Sequence, residues 1–261
     1  MLLTHATRLS REFFATHPEH CLADAETAVF AQLVAARIAG EPIAYLIGER
    51  EFYGRAFKVN RHVLIPRPET ELLVDCALER LPTKSGEVLE LGVGSGASLV
   101  TLACERPQLR YTGSDLSPDA LAVAQSNAAR LAPQARFTWV QSDWFSAING
   151  RFDVIIANPP YIAANDAHLL QGDLRFEPAL ALASGADGLD ALRTLITQAP
   201  SHLHAGGSLL VEHGYDQAAA VRALFATAGF GDVDSVRDLS GIERITRGRF
   251  RAASTAPQIP S

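Results

Sequence analysis

The chain has 261 residues, 48% of them apolar, with a net charge of −6 and a pI of about 5.7. That length suits one large domain with a small appendage, and the apolar fraction suffices for a sizeable core. The acidic balance excludes a general nucleic-acid binder, which needs clustered Lys and Arg to neutralise phosphates, and no apolar stretch is long enough to span a bilayer.

Cys21, Cys76 and Cys104 are odd in number, widely spaced and free of any CxxC or Cys/His ligand pattern. They read as reduced thiols of a cytoplasmic protein, with no metal site. No signal-peptide pattern opens the sequence.

Residues 1 to about 40 read as helix. "ADAETAVFAQLVAARIAGEP" offers Asp24 as the cap, apolar residues at helical spacing, then Gly40 and Pro42 as stops. In "EFYGRAFKVNRHVLIPR", Phe57 and Val59 alternate with Ala56 and Lys58, Gly54 allows a bend, and residues 63–65 form a second short apolar run. This predicts a β-hairpin linker over 51–67. It joins a small helical domain, 1–50, to a main domain, 68–250. "PETELLVDCALERLP" returns to helix, with acidic residues in its first turn and Pro82 at its end.

From Glu87 onward strand and helix alternate. "EVLEL", "RYTGSD", "FTWVQSD", "FDVIIA" and "GSLLVE" read as strands, with helices near 97–105, 118–131, 189–202 and 217–228. Ser117 before Pro118 makes a cap and first-turn pair. The rhythm predicts a doubly wound, mostly parallel α/β sheet covered on both faces. "DVDSVRDLSGIERITRGRF" has no helix between its strand-like runs, so it predicts a C-terminal antiparallel hairpin at the sheet edge. Residues 251–261 read as a disordered tail.

The first strand of the alternation runs into "LELGVGSGA", a GxGxG loop at Gly92, Gly94 and Gly96 rather than the GxGxxG of dinucleotide sites. Glycine lets the backbone turn tightly and approach a ligand closely. Glu90 precedes the loop. It would repel a pyrophosphate but favour a ligand carrying an ammonium and a sulfonium, which points to S-adenosylmethionine. Asp115 ends the next strand, where an acid meets ribose hydroxyls. Asp143, beside Trp144, ends the third.

The fourth strand stops at "NPPY", residues 158–161. Proline has no N–H, so this corner cannot donate there and leaves carbonyls free. The side chain of Asn158 and the carbonyl of Pro159 offer two acceptors for both hydrogens of a planar, conjugated NH₂, and Tyr161 could lie against a flat group. A carboxamide or a nucleobase amine fits equally at this point.

"NPPY" with "ELGVGSG" resembles the amino-methyltransferases of the seven-stranded class. With "GEPIAYLIGEREFYG", "LIPRPETELLVD", "SDLSPDALAVAQSNA", "QSDWFSAI", "GDLRFEPALAL" and "LLVEHGYDQ", the chain resembles the release-factor glutamine N5-methyltransferases of the HemK/PrmC family over roughly residues 40–250. That resemblance implies a class I methyltransferase sheet of seven strands and S-adenosylmethionine as methyl donor. It implies a substrate glutamine in the GGQ loop of class I peptide release factors. The implied donor site is Gly92, Val93, Gly94, Ser95, Gly96, Asp115, Trp144 and Asn158, to which the residue reading above adds Glu90 and Asp143. The implied substrate site is Asn158, Pro159, Pro160 and Tyr161, with Asn158, Pro159 and Tyr161 carrying catalysis. Val93 stands where the family usually has Thr, and the region before "GEPIA" is shorter than the family's by about one helical hairpin. Rival readings are a nucleobase N-methyltransferase, a ribosomal-protein glutamine methyltransferase and a non-enzymatic donor-binding scaffold. His202, His204 and Cys104 read as structural, and His213 and Glu177 receive no assigned role.

Overall fold

The computed structural model describes residues 1–251. Helices α1 (Leu2–Thr7), α2 (Arg11–Thr16), α3 (Asp24–Ile38) and α4 (Ile43–Ile47) open the chain. The long helical stretch expected over the first 40 residues is therefore three helices, broken after Thr7 and Thr16. Asp24 is not the cap of α3. Ala23 holds that position, and Glu26 reaches back to accept its N–H at 2.9 Å, so Asp24 is the first helical residue. α3 buries none of its residues fully.

Strands β1 (Glu49–Phe52) and β2 (Arg55–Lys58) pair antiparallel around Tyr53 and Gly54, both left-handed, at φ 53° and 69°. Two such residues in succession match the twist of a tight hairpin. This hairpin is more than a linker. Phe52 and Phe57 meet edge to face at 6.0 Å inside the main core, and Tyr53 bonds Glu71 and Asp75 of helix α5 (Glu71–Leu78). The apolar run at 63–65 forms no strand. Val63 packs with Val59 and Ala120, and Ile65 donates its N–H to Glu177.

The main sheet has seven strands: β3 (Glu87–Leu91), β4 (Arg110–Asp115), β5 (Arg136–Gln141), β6 (Phe152–Ala157), β7 (Leu203–Glu212), β8 (Phe230–Arg237) and β9 (Glu243–Phe250). They lie in the order β5-β4-β3-β6-β7-β9-β8. β3 to β7 run parallel; β9 is antiparallel to both β7 and β8, which makes the C-terminal hairpin. Helices α6 (Ala97–Glu105), α7 (Pro118–Leu131), α8 (Asp190–Gln198) and α9 (Ala218–Thr227) cover the two faces. Period-two alternation divides the strands between them. Val88, Val154, Ile156 and Leu210 pack with α5, α6 and α7, while Leu89, Leu91, Ile155, Leu209 and Val211 pack with α8 and α9. The Ser117 hydroxyl caps α7 by accepting the Ala120 N–H at 3.2 Å. Arg251 pairs with Asp232, and the rest of the expected tail lies outside the described residues.

The chain leaves β3 for β4 and β5 on one side, then returns to place β6 on the other. β3 and β6 are therefore the switch point of the sheet, and ligands of such folds bind outside the carboxyl ends of these strands. No helix among the described residues is long and apolar enough to cross a membrane.

Candidate active site

A cavity of about 480 Å³ opens at this edge, within the range of small-molecule sites. The glycine loop follows β3, Asp115 ends β4, Asp143 and Trp144 follow β5, and the NPPY corner follows β6. Glu90, Gly92, Val93, Gly94, Ser95, Asp115, Asp143, Trp144, Asn158, Pro159 and Pro160 all line it. Two expected site residues do not.

Gly96 is one. Its φ is +79°, and a Cβ there would come within 3.2 Å of Ala124 Cβ and Val100 Cγ2. Glycine is needed at this position for backbone conformation and for the close approach of α7. Tyr161 is the other. Its hydroxyl donates to Glu212 Oε1 at 3.3 Å, and its carbonyl accepts from Gln217. The ring packs into the apolar cluster under α8 and α9, so it is turned away from the cavity rather than laid against a ligand.

The loop's amides are largely occupied. Val93 N–H goes to the Ser114 carbonyl at 2.9 Å, Gly94 N–H to Asp115 Oδ2 at 2.9 Å, and Gly96 N–H to the Val93 carbonyl at 2.8 Å. Glu90 accepts from Leu99 in the first turn of α6 at 2.9 Å. Glu90 thereby takes an amide that a phosphate would otherwise use, and with the loop's other amides largely occupied the site does not suit a dinucleotide. The Val93 side chain packs into the core where it meets the cavity wall, so valine leaves a methyl there in place of a hydroxyl.

These residues fit S-adenosylmethionine. A Cβ on Gly94 would meet nothing within 4 Å, which leaves room for a ligand against the backbone. Asp115 is held by two backbone donors, Gly94 and Ser117, both at 2.9 Å, so its remaining lone pairs are aimed and available to ribose hydroxyls. Glu90 is buried, and that burial pushes its carboxyl up to about 8. At pH 7 it is mostly protonated; a cationic ligand beside it favours the carboxylate. Donor binding near pH 7 is therefore expected to release a proton and to tighten as pH rises toward 8.5. Calorimetry in buffers of different ionisation heat measures this. Equal proton release by wild type and Glu90→Gln would show that Glu90 does not face the donor's charge.

At the other end of the cavity, Asn158 Nδ2 donates to Thr70 Oγ1 at 3.1 Å. Its Oδ1 and the Pro159 carbonyl receive no hydrogen bond among the described residues. Arg67 and Thr70, from the "RPETE" stretch, line the wall, as do Pro178, Leu180 and Ala181 from the loop after NPPY. Sequence reasoning gave none of these a place in the site, although "RPETE" and "RFEPALAL" were the signals. Glu177 explains the second. Its side chain is fully buried, accepting from Ile65 N–H at 3.0 Å and pairing with Arg67, so it ties the loop to the segment after the hairpin. His213 is structural, held between the Gly214 carbonyl and Thr246, and His202 stacks on Phe145.

The PrmC N-terminal domain family matches residues 1–48, and the methyltransferase small domain family matches residues 68–175. The release factor glutamine methyltransferase of Bordetella pertussis is 49% identical over 95% of this chain and 92% of its own length. That of Neisseria gonorrhoeae is 47% identical, over 96% and 92%. Among solved structures, a methyltransferase from Pyrococcus furiosus shares the fold, with a TM-score of 0.58 at 16% identity over 85% of this chain and 100% of that one. At nearly half identity along almost its whole length, the chain belongs to the release factor glutamine methyltransferase family.

Proposed function

We propose that this protein methylates the side-chain amide nitrogen, N5, of the glutamine in the GGQ loop of class I peptide release factors. Its family membership supports the reaction class, and the carrying observation is the state of Asn158. Its NH₂ is tied to Thr70, and neither its oxygen nor the neighbouring proline carbonyl receives a hydrogen bond among the described residues. Two acceptors at one end of the donor cavity suit the two hydrogens of a carboxamide.

S-adenosylmethionine supplies an electrophilic methyl on a positively charged sulfur. The substrate nitrogen is a poor nucleophile because its lone pair is delocalised. Asn158 Oδ1 and the Pro159 carbonyl would hold both N–H bonds and fix the face turned to the methyl. They would also stabilise the positive charge that grows on the nitrogen during transfer. No strong base is needed beforehand, since the proton can leave to water after the bond forms. Pro160 would shape the corner; Tyr161 would brace it from behind.

A protein substrate suits the rim. Leu116 and Leu180 line the cavity yet are 51% and 77% exposed, so they offer apolar contact at its mouth. Residues 1–50 would serve as the docking domain. α3 leaves Val29 and Ile38 exposed, and Arg37 bridges to Asp173 in the loop after NPPY. The place of action would be the cytoplasm, in keeping with three free thiols. Purified protein, labelled S-adenosylmethionine and purified release factor test this reading together, with the modified residue mapped by mass spectrometry. One methyl on the GGQ glutamine is expected; label on RNA or on a ribosomal protein instead would overturn it.

A further inference from the structure

Glu212 has no part in the chemistry proposed so far. It is the last residue of β7 and 2% exposed. Tyr161 donates to its Oε1, and Oε2 has no hydrogen-bond partner among the described residues; the Thr70 hydroxyl is near enough to lower the carboxyl's pKa but forms no hydrogen bond to it in this structure. A carboxylate left half-satisfied in the interior costs stability, and an apolar residue would cost less. Its place behind the NPPY corner suggests what offsets that cost. Thr70 stands between Glu212 and Asn158, accepting from Asn158 Nδ2 at 3.1 Å.

A hydroxyl has one hydrogen to give, and an ionised carboxylate only accepts. Thr70 already turns a lone pair to the Asn158 NH₂, so its own hydrogen, which has no acceptor among the described residues, is left for the unpartnered oxygen of Glu212. The amide oxygen is then the end left for the cavity. We propose that Glu212 is a positioning residue for methyl transfer, fixing through Thr70 which end of the Asn158 amide faces the substrate. This rests on the reading of Asn158 Oδ1 as an acceptor for the substrate amide. With a proton on Glu212, Thr70 can receive instead of give. Its own hydrogen then suits Asn158 Oδ1, and the amide can turn its NH₂ toward the substrate's NH₂, where two donors oppose.

Burial pushes Glu212 up to about 7, and Glu69 raises it further, while the Thr70 and Tyr161 hydroxyls and Arg244 on β9 pull it down. The relay is therefore set above about pH 7 and lost below it. Glu90 titrates nearby in pH, but it acts on donor affinity, so saturating donor separates the two.

The first readout needs no donor. The Asn158 side-chain NH₂ resonances, assigned by their loss in Asn158→Ala, should shift with pH around 7 in wild type and stop doing so in Glu212→Gln. The second is single-turnover transfer at saturating donor. Glu212→Gln and Thr70→Val should each slow it about tenfold or more, the loss of one oriented hydrogen bond. Donor affinity should stay within about twofold. Thr70→Ser, which keeps the hydroxyl, should recover most of the rate. The double variant Glu212→Gln/Thr70→Val should be no slower than the slower single, because both break one chain. If Glu212→Gln melts at assay temperature, Thr70→Val against Thr70→Ser carries the comparison. A pH-insensitive Asn158 amide, or Glu212→Gln with the wild-type rate and pH profile, overturns the relay. If Asn158→Ala itself transfers at the wild-type rate, the reading of Asn158 has failed instead.

Discussion

Asn158→Ala is expected to slow methyl transfer to release-factor glutamine by about 10²–10³-fold, the cost of losing one preorganised group from a developing charge. Donor binding should survive. Glu90, Asp115 and Trp144 come from other strand ends, and the hydrogen bonds that hold the two acids do not pass through Asn158. Alanine removes the acceptor and leaves the substrate nitrogen held on one side only, by the Pro159 carbonyl. Asn158→Asp separates acceptance from charge. A carboxylate still accepts hydrogen bonds, but it favours the concentrated positive charge of the bound ground state over the dispersed charge of the transition state. Tighter or unchanged donor binding with a slower transfer step is the expected pattern. The introduced carboxylate would also compete with Glu212 for the single hydrogen of Thr70, which works against the same step. Single-turnover kinetics and calorimetry measure the two effects apart. Wild-type rates in Asn158→Ala would reduce NPPY to a bent corner.

Local signals carried much of this site because the sheet's carboxyl edge collects whatever follows each strand. The glycine loop, Asp115, Asp143, Trp144 and the corner at Asn158 each follow a strand recognisable by its apolar run, so strand order along the chain was enough to bring them together. What local pattern could not supply was side-chain direction at the corner. A tyrosine after two prolines looks placed for a ligand, yet the chain turns there and Glu212 and the α8–α9 cluster draw the ring inward. Long-range partners were equally invisible. Thr70 meets Asn158 across 88 positions and Glu177 meets Ile65 across 112, and no spacing rule spans such gaps. Gly96 illustrates a third limit. Its spacing assigns it to the loop, but the space it vacates is taken by Ala124.

Arg67→Ala is expected to destabilise the fold more than Glu177→Gln does, although both break the same ion pair. The Glu177 side chain is 0% exposed and Arg67 31%. Removing the arginine leaves a buried carboxylate with only the Ile65 N–H for company. Breaking a buried pair this way costs roughly 3–5 kcal/mol, and the partial exposure of Arg67 places the cost toward the lower end. In a domain of this size that lowers Tm by about 6–12 °C. Glutamine at 177 removes the charge itself, can still accept from Ile65, and leaves Arg67 free to swing into the cavity, so about 1 kcal/mol or less is expected. The pH dependence tests the cause. Burial already raises the Glu177 carboxyl above its ordinary value despite Arg67, which pulls it down. Without Arg67 the shift grows. A raised carboxyl favours the fold when protonated and loses that contribution as pH rises through its folded value. The deficit of Arg67→Ala should therefore be smaller at pH 5 than at pH 8, read from melting curves at each. An equal deficit at both would mean that lost packing, not a stranded charge, is what the arginine prevents. Since Glu177 anchors the loop that brings Pro178, Leu180 and Ala181 to the cavity, transfer to release factor should fall with stability in Arg67→Ala, and donor affinity should fall less.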